Sequence, residues 1–239
     1  TAITITESGL SLTGAQSGNY TLTAPTLSAS ITAKNVNVTG LTASNTIYTA
    51  TNVASLGGTA ALLAAEAPGT GTTADGKPYT GDTVTVGGTA VGTYASVNVG
   101  SGIAITVTGN TLGGAEASNY NIVQQTGLSA NITPKALTAQ GTLSGGGKIY
   151  DATTTATPSG AAALQASETA GTGTTADGKF YTGDVVSLTG TAAYNFNTKD
   201  VATATTITES GLSLTGAQSG NYTLTAPTLT SSISPKSID

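Results

Sequence analysis

The chain has 239 residues, a net charge of −5 and only 8% charged residues, about a third of the usual share. It contains no His, Cys or Trp, and all seven of its basic residues are Lys. This composition excludes zinc fingers, thiol nucleophiles, haem or iron–sulfur centres and Ser-His-Asp triads. The small number of cationic side chains argues against nucleic-acid binding. No apolar run approaches the ~20 residues of a membrane helix, so we expect no membrane insertion.

The remaining composition predicts an all-β protein. Abundant Thr, Val and Ile favour strands, while abundant Gly and Asn favour turns. A hydrophobic share of 38% with so little charge is typical of a folded chain and not of a disordered one.

An internal repeat organises the sequence. Residues 4–27 recur unchanged at 206–229, and residues 69–77 recur unchanged at 171–179. The spacing of these and other landmarks gives a period of about 101 residues. The predicted segments are the C-terminal part of a preceding repeat (1–34), two complete repeats (35–135 and 136–236) and the start of another (237–239). A unit of ~100 residues can bury its own core. Since no Gly/Ser-rich linker separates the units, we expect tandem domains that form an elongated rod.

The second repeat illustrates the predicted elements in chain order. Its Ala-rich stretch 161–167 favours one or two helical turns. Asp177-Gly178 lies within a Gly/Thr-rich stretch, 171–183, and predicts a hairpin around a type I′ turn. Strands are predicted at 136–143, 148–155, 185–194, 201–208, 212–215, 222–225 and 229–234. Short strands at this regular spacing are typical of a β-sandwich or a related fold.

Three motifs resemble a known family of repeats. They lie at 148–155 (Lys-Ile-Tyr-Asp-Ala-Thr-Thr-Thr), at 211–225 and at 233–236. Together they resemble the YDG domain and the related MBG ("mostly β-grasp") domains. The second repeat has Ala152 after Tyr150-Asp151, where the family pattern has Gly. The first repeat has Tyr48-Thr49-Ala50 and so lacks the signature.

The resemblance implies a structural role. Such domains are tandem β-sandwich or β-grasp-like repeats of large secreted or surface-exposed bacterial proteins, many of them filamentous-haemagglutinin-like adhesins exported by two-partner secretion. We therefore expect spacer or stalk repeats of an adhesin or matrix fibre, extracellular or on the cell surface, that hold a distal binding region away from the cell. The expected partners are neighbouring repeats of the same chain, and no enzyme activity, catalytic residue or cofactor is implied.

Both repeats are longer than the usual family member around 69–79 and 171–181, and this surplus suggests an alternative function. The added segment would bind polysaccharide or like fibres through Tyr79, Phe180 and Tyr181. Exposed strand edges, particularly in residues 1–34, would instead favour self-association into fibres.

The acidic residues of the same segments are the weak metal candidates. Asp75, Asp82, Asp177 and Asp184 recur around the predicted hairpin, and calcium takes carboxylate oxygens. Their spacing matches no calcium-binding loop, so turn chemistry is the favoured interpretation. We also considered a Lys–Asn isopeptide crosslink from Lys148, but no motif places a buried Asn and a carboxylate beside that lysine.

A recurring Asn-Tyr pair is the remaining structural motif. In each pair the Asn is expected in a polar turn and the Tyr ring in the core, with its hydroxyl paired at the edge. The pairs are Asn19-Tyr20, Asn119-Tyr120 and Asn221-Tyr222.

Overall fold

Strands dominate the backbone. The computed structural model describes residues 2–238, and 44% of the chain lies in strands against 4% in helix. This confirms the all-β class expected from the Thr, Val and Ile content. Within the described residues, no helix is long and apolar enough to cross a membrane.

The strands follow one another with few long interruptions. Before the first complete repeat lie β1 (Ala2–Ile5) and β2 (Leu27–Ser30). The first repeat contains β3 (Lys34–Ala43), β4 (Thr46–Ile47), β5 (Val53–Ala54), β6 (Leu56–Leu62), β7 (Thr85–Tyr94), β8 (Gly100–Gly113), β9 (Tyr120–Val123) and β10 (Ser129–Thr133). The second contains β11 (Lys135–Thr138), β12 (Lys148–Ile149), β13 (Ser187–Phe196), β14 (Thr206–Thr215), β15 (Tyr222–Thr225), β16 (Thr228–Thr230) and β17 (Ile233–Ser234). Short 3-10 helices lie at Ser17–Asn19, Ala117–Asn119 and Ser219–Asn221.

The described residues pack as two compact units that do not coincide with the sequence repeats. The first unit comprises residues 2–40, 59–89 and 109–125, and the second comprises 41–58, 90–108 and 126–238. The second unit therefore combines three stretches of the first sequence repeat with the whole described part of the second repeat.

The first unit is organised around a parallel strand pair. β3 and β9 run parallel, with Lys34 opposite Tyr120 and Val36 opposite Ile122. Along β3, Lys34, Val36 and Val38 are buried while the residues between them are exposed. This strict alternation is typical of a strand with one face in the core.

The second unit repeats this pairing and adds an antiparallel sheet. β11 and β15 run parallel, with Lys135 opposite Tyr222, and β14 lies between β13 and β16. The register of β13 and β14 shifts between Gly190 and Ala193. Gly190 has a φ of +99°, and a Cβ there would overlap the carbonyl oxygen of Gly211. Glycine is required at this bulge because the two backbones approach too closely for a side chain.

Two hydrophobic clusters form the core of the second unit. One of them joins the two sequence repeats: Tyr48, Ala54, Tyr94, Ile105, Ala130 and Ile132 come from the first, and Leu137, Tyr181 and Tyr222 from the second. The other lies wholly in the second repeat and contains Leu143, Ala156, Phe196, Ala204, Ile207, Leu229 and Ile233. Thr133 ends β10 and Lys135 begins β11, so one intervening residue links the repeats.

Two local predictions were wrong. The Ala-rich stretch 161–167 forms no helix, and the Ala161 carbonyl at its start accepts a long-range hydrogen bond from the Thr142 N–H. The stretch 171–183 is not a hairpin, since Glu168 and Tyr181 at its base pair in parallel. A type I′ turn needs positive φ at both central residues, and here Gly178 has it whereas Asp177 does not.

The identical segments 4–27 and 206–229 have different surroundings. Ile5 pairs with Leu27 in one copy as Ile207 pairs with Leu229 in the other. In the second copy β13 also pairs with β14, whereas among the described residues β1 pairs only with β2. Tyr20 is accordingly 72% exposed while its equivalent, Tyr222, is 5% exposed. Burial of this segment is supplied by the rest of the repeat and not by its own sequence.

Candidate functional site

A buried lysine lies between two carboxylates in the first compact unit. Lys34 Nζ is 2.5 Å from Glu66 Oε1 and 3.0 Å from Asp75 Oδ1. The ring of Tyr79 covers the same ammonium, with 4.2 Å between Nζ and the ring centroid. A contact of this kind stabilises a cation that has been removed from water. Lys34, Glu66, Asp75 and Tyr79 are the first lysine cluster.

The second compact unit contains the same arrangement. The side chain of Lys135 is fully buried, and its Nζ pairs with Glu168 Oε1 and lies 3.0 Å from Asp177 Oδ1. The centroid of the Tyr181 ring is 4.3 Å from Nζ. Lys135, Glu168, Asp177 and Tyr181 are the second lysine cluster. Because both copies share the geometry, it follows from the repeated sequence.

The charges of each cluster stabilise one another. Burial lowers the pKa of Lys34, but hydrogen bonds to Glu66 and Asp75 outweigh it and hold the pKa above its usual value. The pKa of Lys135 is raised in the same way. Burial raises the pKa of Asp177, yet the Lys179 backbone N–H and the Lys135 ammonium outweigh burial and lower this pKa to about 2. An ammonium facing ionised aspartate is therefore the resting state at neutral pH.

A glycine makes room for the two carboxylates. Gly173 has a φ of +71°, and a Cβ there would overlap the Glu168 carboxylate and lie 2.8 Å from Asp177 Oδ2. Glu168 Oε2 and Asp177 Oδ2 thus both approach the position that a Cβ of this glycine would occupy. Gly71 has the same role in the first lysine cluster.

Backbone amides fix the orientation of each aspartate. The Lys179 N–H donates to Asp177 Oδ1 at 3.0 Å, and the Thr174 N–H donates to Oδ2 at 3.2 Å. In the first cluster Lys77 and Thr72 donate to Asp75 at 3.0 and 3.3 Å. Asp is well suited to such turns because its short side chain reaches its own neighbouring backbone.

Two tyrosine hydroxyls share one aspartate in the second unit. The hydroxyls of Tyr48 and Tyr222 donate to Asp184 Oδ2 at 3.0 and 2.5 Å. The Tyr48 ring packs edge-on against Tyr222, with centroids 5.3 Å apart, and at a tilt against Tyr181, with centroids 5.9 Å apart. Burial first, and then the bond to Asp184, raise the pKa values of Tyr48 and Tyr222. In the first unit Tyr120 donates to Asp82 at 2.5 Å in the same way.

A family model describes most of the chain. The YDG domain matches residues 32–127 and again residues 133–230. The chain belongs to the YDG domain family. No curated protein and no solved structure matches it.

The YDG signature forms a polar turn in the second repeat. Lys148 Nζ lies 2.7 Å from Asp151 Oδ1 and donates to the carbonyl oxygens of Thr153 and Thr155. Hydrogen bonding to Lys148 lowers the pKa of Asp151 to about 2. Ala152 occupies the signature's Gly position with a φ of +65°, and Ala50 in the first repeat has a φ of +55°. Only Gly adopts these angles without strain, which explains the family pattern.

The four acidic residues proposed as calcium candidates are occupied by other contacts. Asp75 and Asp177 belong to the lysine clusters, and Asp82 and Asp184 accept from tyrosine hydroxyls. No group of three or more potential metal-ligating side chains occurs within the described residues. The calcium hypothesis itself stays a prediction.

The aromatic residues proposed for ligand binding do not form one exposed patch. Tyr79 and Tyr181 cover the lysine clusters of their own units, and Tyr181 is 1% exposed. Phe180 is half-buried and packs against the core shared by both repeats. Of the Asn-Tyr pairs, each Asn ends a 3-10 helix, and the following Tyr is buried at 120 and 222 but exposed at 20.

Sequence reasoning missed the lysines and glutamates of the clusters and the position of Tyr48. A signal for the clusters was present. Lysine is rare in this chain, yet Lys34 and Lys135 recur one period apart, as do Glu66 and Glu168. Charged residues that a low-charge repeat retains at fixed positions are candidates for buried pairs.

Proposed function

We propose that these YDG repeats are structural spacers of a secreted or cell-surface bacterial adhesin or matrix fibre. The observation that supports this most is the core shared by residues of two successive repeats. Tyr48 of the first repeat packs against Tyr181 and Tyr222 of the second and donates to Asp184. A buried interface with paired hydroxyls resists bending far better than a flexible linker does.

The link between repeats supports the same role. Only Pro134 lies between β10 and β11, and proline fixes its own backbone φ. The Asn221 side chain also bonds to the first repeat, accepting from the Val99 N–H at 2.9 Å and donating to Asn98 at 3.0 Å. These contacts restrain the junction at two further points.

The position of Tyr150, the signature tyrosine of the second repeat, supports the proposal that the second repeat forms a similar junction with a further repeat. Tyr150 corresponds to Tyr48, but it lines an open pocket of about 640 Å³ together with Val201, Pro235 and Ile238. We propose that a following repeat covers Tyr150 as the second repeat covers Tyr48. Extracellular placement rests on the family resemblance alone.

Small-angle X-ray scattering of chains with two, three and four repeats tests the spacer role. A rigid spacer lengthens linearly, by about 30–45 Å per repeat if each adds little more than one long strand. A flexible string lengthens only with about the square root of repeat number. The matched control carries a Gly/Ser insertion between Pro134 and Lys135, which should convert the first behaviour into the second. Square-root growth of the unmodified chain would refute the spacer role.

Self-association is a second candidate, favoured by one observation. The exposed residues 4–13 have the sequence of β14, which pairs with β13 in the second repeat. β1 has a free edge among the described residues. Unpaired strand edges recruit further strands. Sedimentation velocity over a concentration series should then show growth, and deletion of residues 1–33 should abolish it. Growth that persists after the deletion would exclude this edge as the cause.

A further inference from the structure

We propose that each lysine cluster forms an intramolecular isopeptide bond, joining Lys135 Nζ to Asp177 Cγ in the second unit and Lys34 Nζ to Asp75 Cγ in the first. The proposal concerns a covalent modification and does not depend on the spacer role. Such a bond would be a permanent crosslink in a chain that contains no cysteine.

The amine and its acceptor already lie together. Lys135 Nζ is 3.0 Å from Asp177 Oδ1, the side chain of Lys135 is excluded from water, and the Tyr181 ring covers the ammonium. Holding two reacting groups in this way replaces a bimolecular encounter with an intramolecular step.

The glutamate is placed to carry the protons. Glu168 Oε1 accepts from Lys135 Nζ, and Glu168 Oε2 lies beside Asp177 Oδ2 where Gly173 leaves room. One carboxylate can therefore remove a proton from the ammonium at one oxygen and deliver it to the leaving oxygen at the other. This is general acid–base catalysis by a single group.

A backbone amide is placed to stabilise the intermediate. When Nζ attacks Cγ, negative charge develops on Asp177 Oδ1, which already accepts from the Lys179 N–H at 3.0 Å. A preorganised donor at a developing oxyanion lowers the barrier to such a step. Lys77 is placed in the same way beside Asp75.

The step balances without any further reactant. An ammonium and a carboxylate condense to one amide: the N–C bond forms, the bond from Cγ to Oδ2 breaks, and two of the three ammonium hydrogens leave with Oδ2 as water. Glu168 passes on both protons and ends in its starting state. The resting ion pair must first give up a proton to Glu168, so the reaction is slow, but it has to occur only once in each molecule.

Intact mass under denaturing conditions is the decisive measurement. We expect the purified chain to weigh two water molecules less than its sequence, and Glu168→Gln to weigh only one less, because Gln keeps the shape but cannot carry protons. Glu209→Gln is the matched control, since Glu209 is also buried in the second repeat but lies outside the cluster. It should still lack two waters. A mass equal to that of the sequence would overturn the proposal.

A second variant excludes the main chemical alternative. Asp177 precedes Gly178, and an Asp-Gly pair can lose the same water by closing to a succinimide with its own backbone. Lys135→Arg abolishes the isopeptide bond but not the succinimide, so we expect this variant to lose one water only. Fragmentation of a protease digest should find residues 135 and 177 in one linked peptide pair. Retention of both water losses in Lys135→Arg, or a link to Glu168, would overturn the proposal.

Discussion

The hydroxyl of Tyr48 donates a hydrogen bond of 3.0 Å to Asp184, although the two residues belong to different sequence repeats. Asp184 accepts a second, shorter bond from Tyr222 of its own repeat. The Asp184 carboxylate therefore connects Tyr222 of the second repeat to Tyr48 of the first. In the first unit Asp82 accepts from Tyr120 alone among the tyrosines of the described residues, which makes the Tyr48 contact the specific feature of the junction.

Replacement of Tyr48 should destabilise the second unit. Tyr48→Phe keeps the ring and loses one part-buried hydrogen bond to a carboxylate, so we expect a loss of about 1.5–3 kcal/mol in the free energy of unfolding. Tyr48→Ala also loses the ring packing and should cost about 3–5 kcal/mol. Urea denaturation followed by circular dichroism measures both values.

The control for this prediction is the exposed tyrosine of the N-terminal segment. Tyr20→Phe removes a hydroxyl of the same type from a ring that is 72% exposed, and its effect should stay within about 0.5 kcal/mol. Equal effects of Tyr48→Phe and Tyr20→Phe would show that the bond to Asp184 contributes nothing at the junction.

Replacement of Ala152 by Gly should stabilise the protein. Ala152 has a φ of +65°, where a Cβ costs about 1–2 kcal/mol, while the added freedom of glycine in the unfolded chain costs about 0.5–1 kcal/mol. The net gain in the free energy of unfolding should be about 0.5–1 kcal/mol, and Ala50→Gly should behave alike. Ala136→Gly, within the uninterrupted register of β11 and β15, should instead destabilise. Destabilisation by Ala152→Gly would contradict the strain argument.

Much of the fold could be predicted from the sequence. The repeat was visible as exact recurrence, and the strand at β15 was predicted with its observed bounds because Tyr222 alternates with polar Thr after a turn. The Asn-Tyr pairs indicated a polar turn followed by a core ring, and Tyr120 and Tyr222 have that environment. These features depend on local sequence, and local patterns report them well.

The rest depended on contacts between distant residues. Asp177-Gly178 has the composition of a hairpin turn, but Lys135 and two backbone amides draw the Asp177 carboxylate inwards and impose another turn. The place of Tyr48 in the core of the following repeat could not be read from its neighbours, since its contacts with Asp184, Tyr181 and Tyr222 join residues that lie far apart in the sequence.

Stability should depend little on pH between about pH 5 and 9 and should fall beyond both limits. Tyr48 and Tyr222 have pKa values raised above the ordinary value of 10.0, so the folded state holds these protons more tightly than the unfolded state. Their contribution is fully present below about pH 10 and is lost as the pH rises further. The pKa of Asp151 is lowered from 3.8 to about 2, so its contribution is present above about pH 4 and is lost on acidification.

Urea midpoints across the pH range test this profile. No histidine is present to titrate near neutrality. In Tyr48→Phe the alkaline decrease should be smaller, because one of the two raised groups is gone. A step in stability between pH 6 and 8 would contradict the assignment of both limits.

The glycine beside the second lysine cluster should be less tolerant of a side chain than a neighbouring glycine that also has a positive φ. Gly173 and Gly183 both have positive φ, +71° and +100°, but only at Gly173 would a Cβ meet other atoms, namely the Glu168 and Asp177 carboxylates. Gly183→Ala should therefore cost only the backbone strain, about 1–2 kcal/mol. Gly173→Ala should cost a further ~1–3 kcal/mol, because it displaces buried polar groups from their partners. The same displacement separates Glu168 from Asp177, so the Gly173→Ala chain should retain one water more in its intact mass than the Gly183→Ala chain. Equal stabilities of the two variants would show that the close approach of the carboxylates to Gly173 does not limit the packing of the cluster.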